Sequence, residues 1–197
     1  MSKSQKQKCV DNLHAVASAK SIAPVLEVSS KSREALGVSL SAFNLKLSFS
    51  GRSFPVECAF QGAKVFEHGG PFTDLHAALP WDAKRDPRLK SSGCLLRFSF
   101  FGEDWPLQPT TAFYDWLYIT ALLQKTRENP AVGEALLRYA AFSDIEFNPE
   151  KSLNCQARSV ALWVALTRAG LPVPETKGEF LALVTSPRRI ETQAPLF

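Results

Sequence analysis

The sequence lacks the residue groupings that mark several common kinds of site. Its four cysteines, Cys9, Cys58, Cys94 and Cys155, form no C-x-x-C pair, and its three histidines are not clustered. We therefore expect reduced thiols that pack as small apolar groups, and neither a structural zinc ion nor any other tightly bound metal.

Short catalytic motifs are missing as well. The chain contains no G-x-S-x-G, no G-x-x-x-x-G-K-[ST] loop and no H-E-x-x-H, so serine-hydrolase, nucleoside-triphosphatase and zinc-protease chemistry find no support. The absence of G-x-G-x-x-G argues against a dinucleotide used as a redox cofactor. We expect no cofactor.

Long apolar runs are also absent. No stretch approaches the length of a transmembrane helix, and the polar start Ser2–Lys8 has no apolar core of the signal-peptide kind. We expect a cytoplasmic protein without membrane association. The net charge of +4 is compatible with a phosphate-rich partner, but many ordinary enzymes are equally basic.

What the sequence has is enough apolar material for one domain. Its 197 residues are 45% hydrophobic and 11% aromatic, which is typical of a globular protein with a real core. Apolar periodicity predicts helices at 8–20, 82–85, 109–124, 131–141, 153–169 and 179–184, and strands at 24–28, 43–49, 52–54 and 94–101. The pattern predicts a single α+β domain, with several helices packed around a small, mostly antiparallel sheet.

The stretch 54–66 has the most informative spacing. Its apolar residues recur at helical intervals, and the sequence Gly69-Gly70-Pro71 is expected to end the helix. Glu57, Gln61 and Lys64 fall at i, i+4 and i+7, so they share a second helical face. Such a row serves either a site or a solvated surface, and the spacing by itself favours the solvated surface.

A later helix is predicted to lie in the middle of the domain. Residues 109–124 are apolar on nearly every side, which is typical of a buried helix. Asp115 falls within it. Because a buried lone charge is costly, we expect Asp115 to have a partner.

Several segments resemble the NADAR domain family. Val56–Phe66, with its glutamate, Phe-Gln pair and lysine, is similar to that family's signature. Four further segments resemble the branch found as the antitoxin partner of DarT-type toxins, namely Ser29–Ser32, Leu40–Asn44, Thr111–Tyr118 and Asp144–Arg158. The resemblance predicts a helical lead-in at 1–24, a NADAR-like catalytic domain at 25–172 and a C-terminal extension at 173–197.

The resemblance implies a NADAR/YbiA-like fold and a glycohydrolase activity. The enzyme would remove ADP-ribose from guanine bases in DNA and so act as antitoxin to a DarT-type DNA ADP-ribosyltransferase. Its partners would be ADP-ribosylated DNA as substrate and a cognate DarT-type toxin. The alternative is a non-catalytic antitoxin that sequesters the toxin or the modified nucleic acid, and turnover distinguishes the two.

The same resemblance implies the site residues. Glu57 would move protons during glycosidic cleavage, as opposed to only supporting a helix start. Lys31 would pair with phosphate or attack C1″ of the ribose as a Schiff-base nucleophile, as opposed to being a solvated loop lysine. The expected substrate-binding residues, each with an ordinary structural role as the alternative, are Ser30, Ser32, Asn44, Gln61, Lys64, Arg85, Asp144, Asn148, Asn154 and Arg158.

Other residues are candidates by type or place. Lys84 is a candidate phosphate contact. Aromatic residues that could stack on a base, although core packing is commoner for them, are Trp105, Trp116, Tyr114 and Phe147. The segment Phe147–Lys151 stands where the wider family has a glycine-rich segment containing Trp-Gly.

Overall fold

A computed structural model describes residues 2–148, 150 and 154–186 of the chain. In chain order the elements are α1 (Lys3–Ala19), β1 (Val25–Glu27), α2 (Ala35–Ser39), β2 (Lys46–Phe49), β3 (Arg52–Pro55), α3 (Val56–Gly62), β4 (Lys64–Phe66), a 3₁₀ helix (Thr73–Ala77), α4 (Pro80–Arg85), α5 (Arg88–Ser91), β5 (Leu95–Phe100), β6 (Glu103–Trp105), α6 (Ala112–Glu128), α7 (Pro130–Leu136), β7 (Ala141–Ser143), α8 (Gln156–Arg168) and α9 (Lys177–Thr185).

The strands pair in small sheets. Strands β2 and β3 form the predicted antiparallel hairpin, and β4, β5 and β6 form an antiparallel sheet in that order. Strand β1 pairs with β7 in parallel, with Val25 opposite Ala141. The arrangement confirms the predicted α+β class, in which helices pack on small, mostly antiparallel sheets.

Helix α6 occupies the middle of the domain, as its all-round apolar sequence predicted. Ten of its 17 residues are buried, and it contacts β2, α3, α7, α8 and α9. Phe113 stacks on Phe98 with ring centroids 4.7 Å apart, and Phe180 from α9 is fully buried in the same core. The core therefore draws on elements from the first strand to the last described helix.

The predicted partner of Asp115 is a pair of residues on α8. The Asp115 carboxylate is only 1% exposed. Its Oδ1 accepts a hydrogen bond of 2.6 Å from the Ser159 hydroxyl, and its Oδ2 accepts one of 2.6 Å from Nη1 of Arg158. Because Arg158 also donates to the Thr111 hydroxyl, these contacts join the start of α6 to the first turn of α8.

The helix predicted for residues 54–66 was wrong in its second half. Helix α3 ends at Gly62, and Lys64–Phe66 is β4, paired with β5. A Cβ at residue 62 would lie 2.7 Å from the His76 ring, so glycine permits the close approach at which the chain turns from helix to strand. The face shared by Glu57 and Gln61 is buried, so it is not a solvated surface.

Other helix predictions also need new bounds, and two of them flank β7 and the loop that follows it. The predicted helix 131–141 stops at Leu136, because Ala141 begins the strand that pairs with β1. The predicted start of the next long helix, Leu153, lies outside the described residues, and α8 begins at Gln156.

Helix α1 begins earlier than predicted because Ser2 and Gln5 form a capping box. It attaches to the rest of the domain through the buried Val10, an Arg33–Asp11 ion pair and a 2.9 Å contact between His14 Nε2 and the Ser143 hydroxyl. The last part of the predicted C-terminal extension, 187–197, falls outside the described residues, and the division into three parts stays a prediction. Within the ranges that are described, no helix has both the length and the apolar character needed to cross a membrane.

Candidate active site

A cleft of about 840 Å³ opens where α3, α4, β4, the start of α6 and the loop after β7 meet. That volume suits a small-molecule site, for which about 300–1,000 Å³ is usual. The polar groups of its lining are of three kinds. They are the carboxyl groups of Glu57, Asp144, Glu146 and Glu150, the amines of Lys64 and Lys84, and the amides of Gln61, Gln108, Asn148, Asn154 and Gln156. The aromatic lining comes from Phe60, Phe98, Tyr114 and Phe147.

Glu57 lies in the first turn of α3 and faces the cleft. Its side chain is 8% exposed, and its Oε1 accepts a 3.0 Å hydrogen bond from Gln61 Nε2. The ammonium nitrogen of Lys84 lies 3.8 Å from the same oxygen. The carboxylate is therefore oriented by an amide one turn later and neutralised in part by an amine.

The second polar atom of the Gln61 side chain is the carbonyl oxygen, Oε1. This oxygen is buried, and within the described part of the chain it finds no hydrogen-bond partner. The amide orientation follows from the other atom, because only the NH₂ group can donate to Glu57. Gln61 lines the cleft, so this buried acceptor lies at the cleft wall and needs a donor that a bound ligand could supply.

Two amines stand close to Glu57. Lys64, on β4, has its ammonium nitrogen 4.9 Å from the centroid of the Phe60 ring. Burial lowers the pKa of Lys64 to about 8, while the charge of Glu57 acts in the opposite direction and that of Lys84 adds to the lowering. A bound anion would favour the charged form of Lys64, so this wall of the cleft suits a phosphate-like group.

Asp144 lies directly after β7 and lines the same cleft. Its Oδ2 accepts hydrogen bonds from the backbone nitrogen and Nε2 of Gln156, and its Oδ1 accepts one from the Glu146 backbone nitrogen. Burial raises the pKa of Asp144 to about 6, a shift that the nearby Glu27 increases and the Gln156 hydrogen bonds oppose. Asp144 can therefore gain or lose a proton near neutral pH.

Gln156 connects this carboxyl group to α3. Its Oε1 accepts from the backbone nitrogen of Ala42, and the Ala42 carbonyl accepts a 2.9 Å hydrogen bond from the Glu57 backbone nitrogen. The same Gln156 side chain donates to Asp144 through Nε2 over 3.1 Å. A continuous chain of hydrogen bonds thus sets the position of the Glu57 backbone relative to the Asp144 side chain.

Lys31 lies at the border of the cleft and is not one of its lining residues. Its Nζ donates to the Ser30 hydroxyl over 2.9 Å and lies 3.8 Å from Oε1 of Glu146, which does line the cleft. Glu146 also accepts hydrogen bonds of 2.8 Å from Lys6 at both of its oxygens. Lys31 is therefore connected to the cleft indirectly, through the Glu146 carboxylate, which also binds Lys6.

The structure brings together only part of the set expected from the sequence. The members that line the cleft are Glu57, Gln61, Lys64, Asp144, Asn148 and Asn154. Ser32 and Asn44 line a second, shallower groove of about 520 Å³ with Lys3 and Arg33. Arg85 lies on the Trp81 ring, and Arg158 is paired with Asp115, so neither of them lines the cleft.

Other lining residues carried no signal in the sequence. Glu146 and Gln156 come from a segment that resembles the family, but neither has a spacing that marks it. Of the aromatic candidates, Tyr114 and Phe147 line the cleft, whereas Trp105 and Trp116 pack together in the core with centroids 4.9 Å apart. Among the residues that the structure describes, no three His, Cys, Asp or Glu side chains are grouped as a metal site would require.

This α+β domain presents a cleft in which amines, amides and carboxyl groups stand among apolar and aromatic side chains, an arrangement typical of a small-molecule site. The chain belongs to the family described as the DarT1-associated NADAR antitoxin, whose model matches residues 1–194. Comparison with curated proteins gave no match. The family finding agrees with the resemblance of the separate sequence segments.

Proposed function

We propose that this chain is a glycohydrolase that removes ADP-ribose from guanine bases in DNA and thereby counteracts a DarT-type toxin. The observation that carries the proposal is the position of Glu57, a buried carboxylate on the wall of a cleft large enough for ADP-ribose. Membership of an antitoxin family associated with DarT1 supports the same reading.

The cleft offers a partner for each part of ADP-ribose. The diphosphate binds against Lys64 and Lys84, because these two amines line the cleft next to Glu57 and their positive charges attract phosphate. A ribose hydroxyl or the guanine N–H satisfies the unused Oε1 of Gln61. Tyr114 and Phe147 supply aromatic surface for a base.

The reaction breaks the bond between the exocyclic nitrogen of guanine and C1″ of the ribose. Water adds its hydroxyl to C1″ and its second proton goes to the leaving nitrogen, which leaves guanine and free ADP-ribose. Glu57 transfers protons in this step, and its negative charge stabilises a transition state that resembles an oxocarbenium ion. Asp144 is placed as a second proton-transfer group, since its pKa of about 6 permits both protonation states.

Lys31 has two possible parts in this scheme. It stabilises a phosphate through its charge, or its amine attacks C1″ as the bond from C1″ to the guanine nitrogen breaks and that nitrogen takes a proton. The ribosyl-lysine then opens at the ring oxygen to an imine, which water hydrolyses to free ADP-ribose and lysine. In the structure its Nζ is held by Ser30 and Glu146, so the second part requires Lys31 to leave Glu146. The nucleophile is therefore tested separately from the overall activity.

A turnover experiment tests the function. An oligonucleotide with one ADP-ribosylated guanine is incubated at a hundredfold excess over the protein, and free ADP-ribose is followed by chromatography. We expect release of many molecules of ADP-ribose per protein molecule. Release that stops at or below one equivalent, with the oligonucleotide retained by the protein, would instead show a binding module.

A further inference from the structure

An exposed tryptophan lies close to the cleft. Trp81, on the short helix α4, is 52% exposed, and Leu79 just before that helix is 70% exposed. Single exposed apolar residues are common on protein surfaces and need no special account. Trp81 differs because an aromatic ring and a guanidinium group pack against its indole ring.

The indole ring is held in place from two sides. The Phe43 and Trp81 rings are nearly perpendicular, at 87° with centroids 5.3 Å apart, and the guanidinium carbon of Arg85 lies 4.6 Å from the Trp81 centroid. A side chain fixed in this way loses little further conformational freedom when a flat ligand stacks on it. The group therefore suits a planar, sequence-tolerant contact such as a nucleobase.

Lys84 connects this group to the cleft. Its ammonium nitrogen lies 5.4 Å from the centroid of the Phe43 ring and 3.8 Å from Oε1 of Glu57. Arg85 is the next residue, and Asp82 adds one carboxylate to the same helix. A ligand that occupies the cleft and extends past Lys84 would therefore meet Trp81.

We propose that Phe43, Trp81, Lys84 and Arg85 form a binding surface for single-stranded DNA next to the modified guanine. This inference rests on the proposed function, because it assigns the strand that flanks the substrate base. A flanking base stacks on the exposed part of Trp81 and a backbone phosphate pairs with Arg85, while Lys84 contacts the diphosphate of the ADP-ribose at the edge of the cleft.

Charge favours nucleic acid over a protein partner at this surface. Trp and Arg are common in the centres of protein interfaces, but Lys is depleted there. Here Lys84 stands between the aromatic pair and the cleft, where phosphates next to a modified nucleotide must pass. A duplex would offer its phosphates but keep its base faces stacked, so the ligand is a single strand.

The first test measures binding of an unmodified, fluorescently labelled single-stranded oligonucleotide by anisotropy. We expect Trp81→Ala to weaken binding by roughly 5- to 100-fold and Trp81→Phe to retain most of it. Leu171→Ala is the matched control, since Leu171 is 53% exposed and follows α8. Melting temperatures of all variants check that the fold is kept.

The second test separates this surface from the reaction. Hydrolysis of an ADP-ribosylated oligonucleotide is compared with that of ADP-ribosylated guanosine, which has no flanking strand. Trp81→Ala should raise KM for the oligonucleotide and leave both kinetic constants for the nucleoside unchanged. If the native protein hydrolyses neither substrate, the proposed function fails, while the anisotropy measurement still decides the DNA-binding surface.

Three results would overturn the inference. They are no measurable binding of the oligonucleotide by the native protein, equal binding by Trp81→Ala, and equal loss of activity on both substrates. A Trp81→Ala variant that binds DNA normally but no longer captures purified toxin would reassign the surface to a protein partner.

Discussion

The amide nitrogen of Gln61 donates a 3.0 Å hydrogen bond to Oε1 of Glu57, one helical turn earlier on α3. Both residues are more than nine-tenths buried, and the contact fixes the carboxylate with one oxygen occupied. Because Gln61 uses its NH₂ group for this bond, its buried carbonyl oxygen has no hydrogen-bond donor among the described residues. The pair thus combines a fixed carboxylate, the proposed proton-transfer group, with an acceptor next to it.

Glu57→Gln tests the role of that carboxylate. The change keeps size and hydrogen-bonding capacity but removes the charge and the exchangeable proton. We expect single-turnover hydrolysis to slow by roughly 10²–10⁴-fold, with oligonucleotide binding kept. Glu103→Gln, an exposed glutamate on β6, is the control. A folded Glu57→Gln variant with the native rate would place catalysis elsewhere.

Lys31 is tested by two substitutions. Since its Nζ is held at the border of the cleft by Ser30 and Glu146, we expect a role through charge. Lys31→Ala should slow hydrolysis by about 10–100-fold, and Lys31→Arg should restore most of the activity, because arginine keeps the positive charge but forms no imine. Failure of Lys31→Arg, together with a borohydride-trapped adduct on native Lys31, would make the amine the nucleophile.

The lowered pKa of Lys64 leads to a prediction of how the affinity for the product, ADP-ribose, depends on pH. Its pKa of about 8 means that the amine is charged at pH 7 and largely neutral at pH 9. The Kd of free ADP-ribose should therefore rise above pH 8, by at most about tenfold per pH unit. Tyr114 stays neutral in this range, because burial raises its pKa well above the usual value. In Lys64→Arg the calorimetric Kd should be flat, and an equal rise there would exclude Lys64 as the cause.

The raised pKa of Asp144 leads to a prediction of how the stability of the fold depends on pH. Its pKa is about 6 in the folded chain and 3.8 in the unfolded chain, so between these values the folded state keeps a proton that the unfolded state loses. The free energy of unfolding should fall as pH rises through this window, by no more than about 3 kcal/mol from this group. Denaturant unfolding at pH 4, 5, 6 and 7 checks it. Asp144→Asn should remove this component, and an unchanged pH profile in the variant would contradict the assignment.

Structural features set by residues close together in the sequence were predicted better than features set by contacts between residues far apart in the sequence. The all-round apolar pattern of residues 109–124 was enough to predict a buried helix and a partner for Asp115, because burying a charge is costly wherever the partner comes from. Glu57 and Gln61 were found as a pair because helical spacing puts i and i+4 side by side.

The remaining features arise from long-range contacts. Lys64 was assigned to the helix, but β4 is three residues long and is set by pairing with β5, so it has no period of its own. Strand β7 was missed for the same reason. Gln156 carries no local signal, since its contact with Ala42 joins positions 114 residues apart.

Arg158 allows a direct comparison of two ion pairs of equal length. Arg158–Asp115 and Arg127–Glu175 both have a nitrogen–oxygen distance of 2.6 Å, but the Asp115 side chain is 1% exposed and the Glu175 side chain is 55% exposed. Among the described residues, Arg158→Ala leaves the buried Asp115 carboxylate with the Ser159 hydroxyl as its side-chain partner, so it should lower the free energy of unfolding by roughly 1–3 kcal/mol. Arg127→Ala removes a solvated pair and should leave the denaturation midpoint nearly unchanged.

Urea unfolding of the two variants makes this comparison. The slope of free energy against urea should match the native slope, so that a shift in midpoint reports stability alone. The double variant Arg158→Ala with Asp115→Asn should recover part of the loss, because removing the carboxylate charge removes the uncompensated burial. Equal midpoints for Arg158→Ala and Arg127→Ala would show that burial of Asp115 does not strengthen its dependence on Arg158, and that Ser159 alone suffices to hold the carboxylate between α6 and α8.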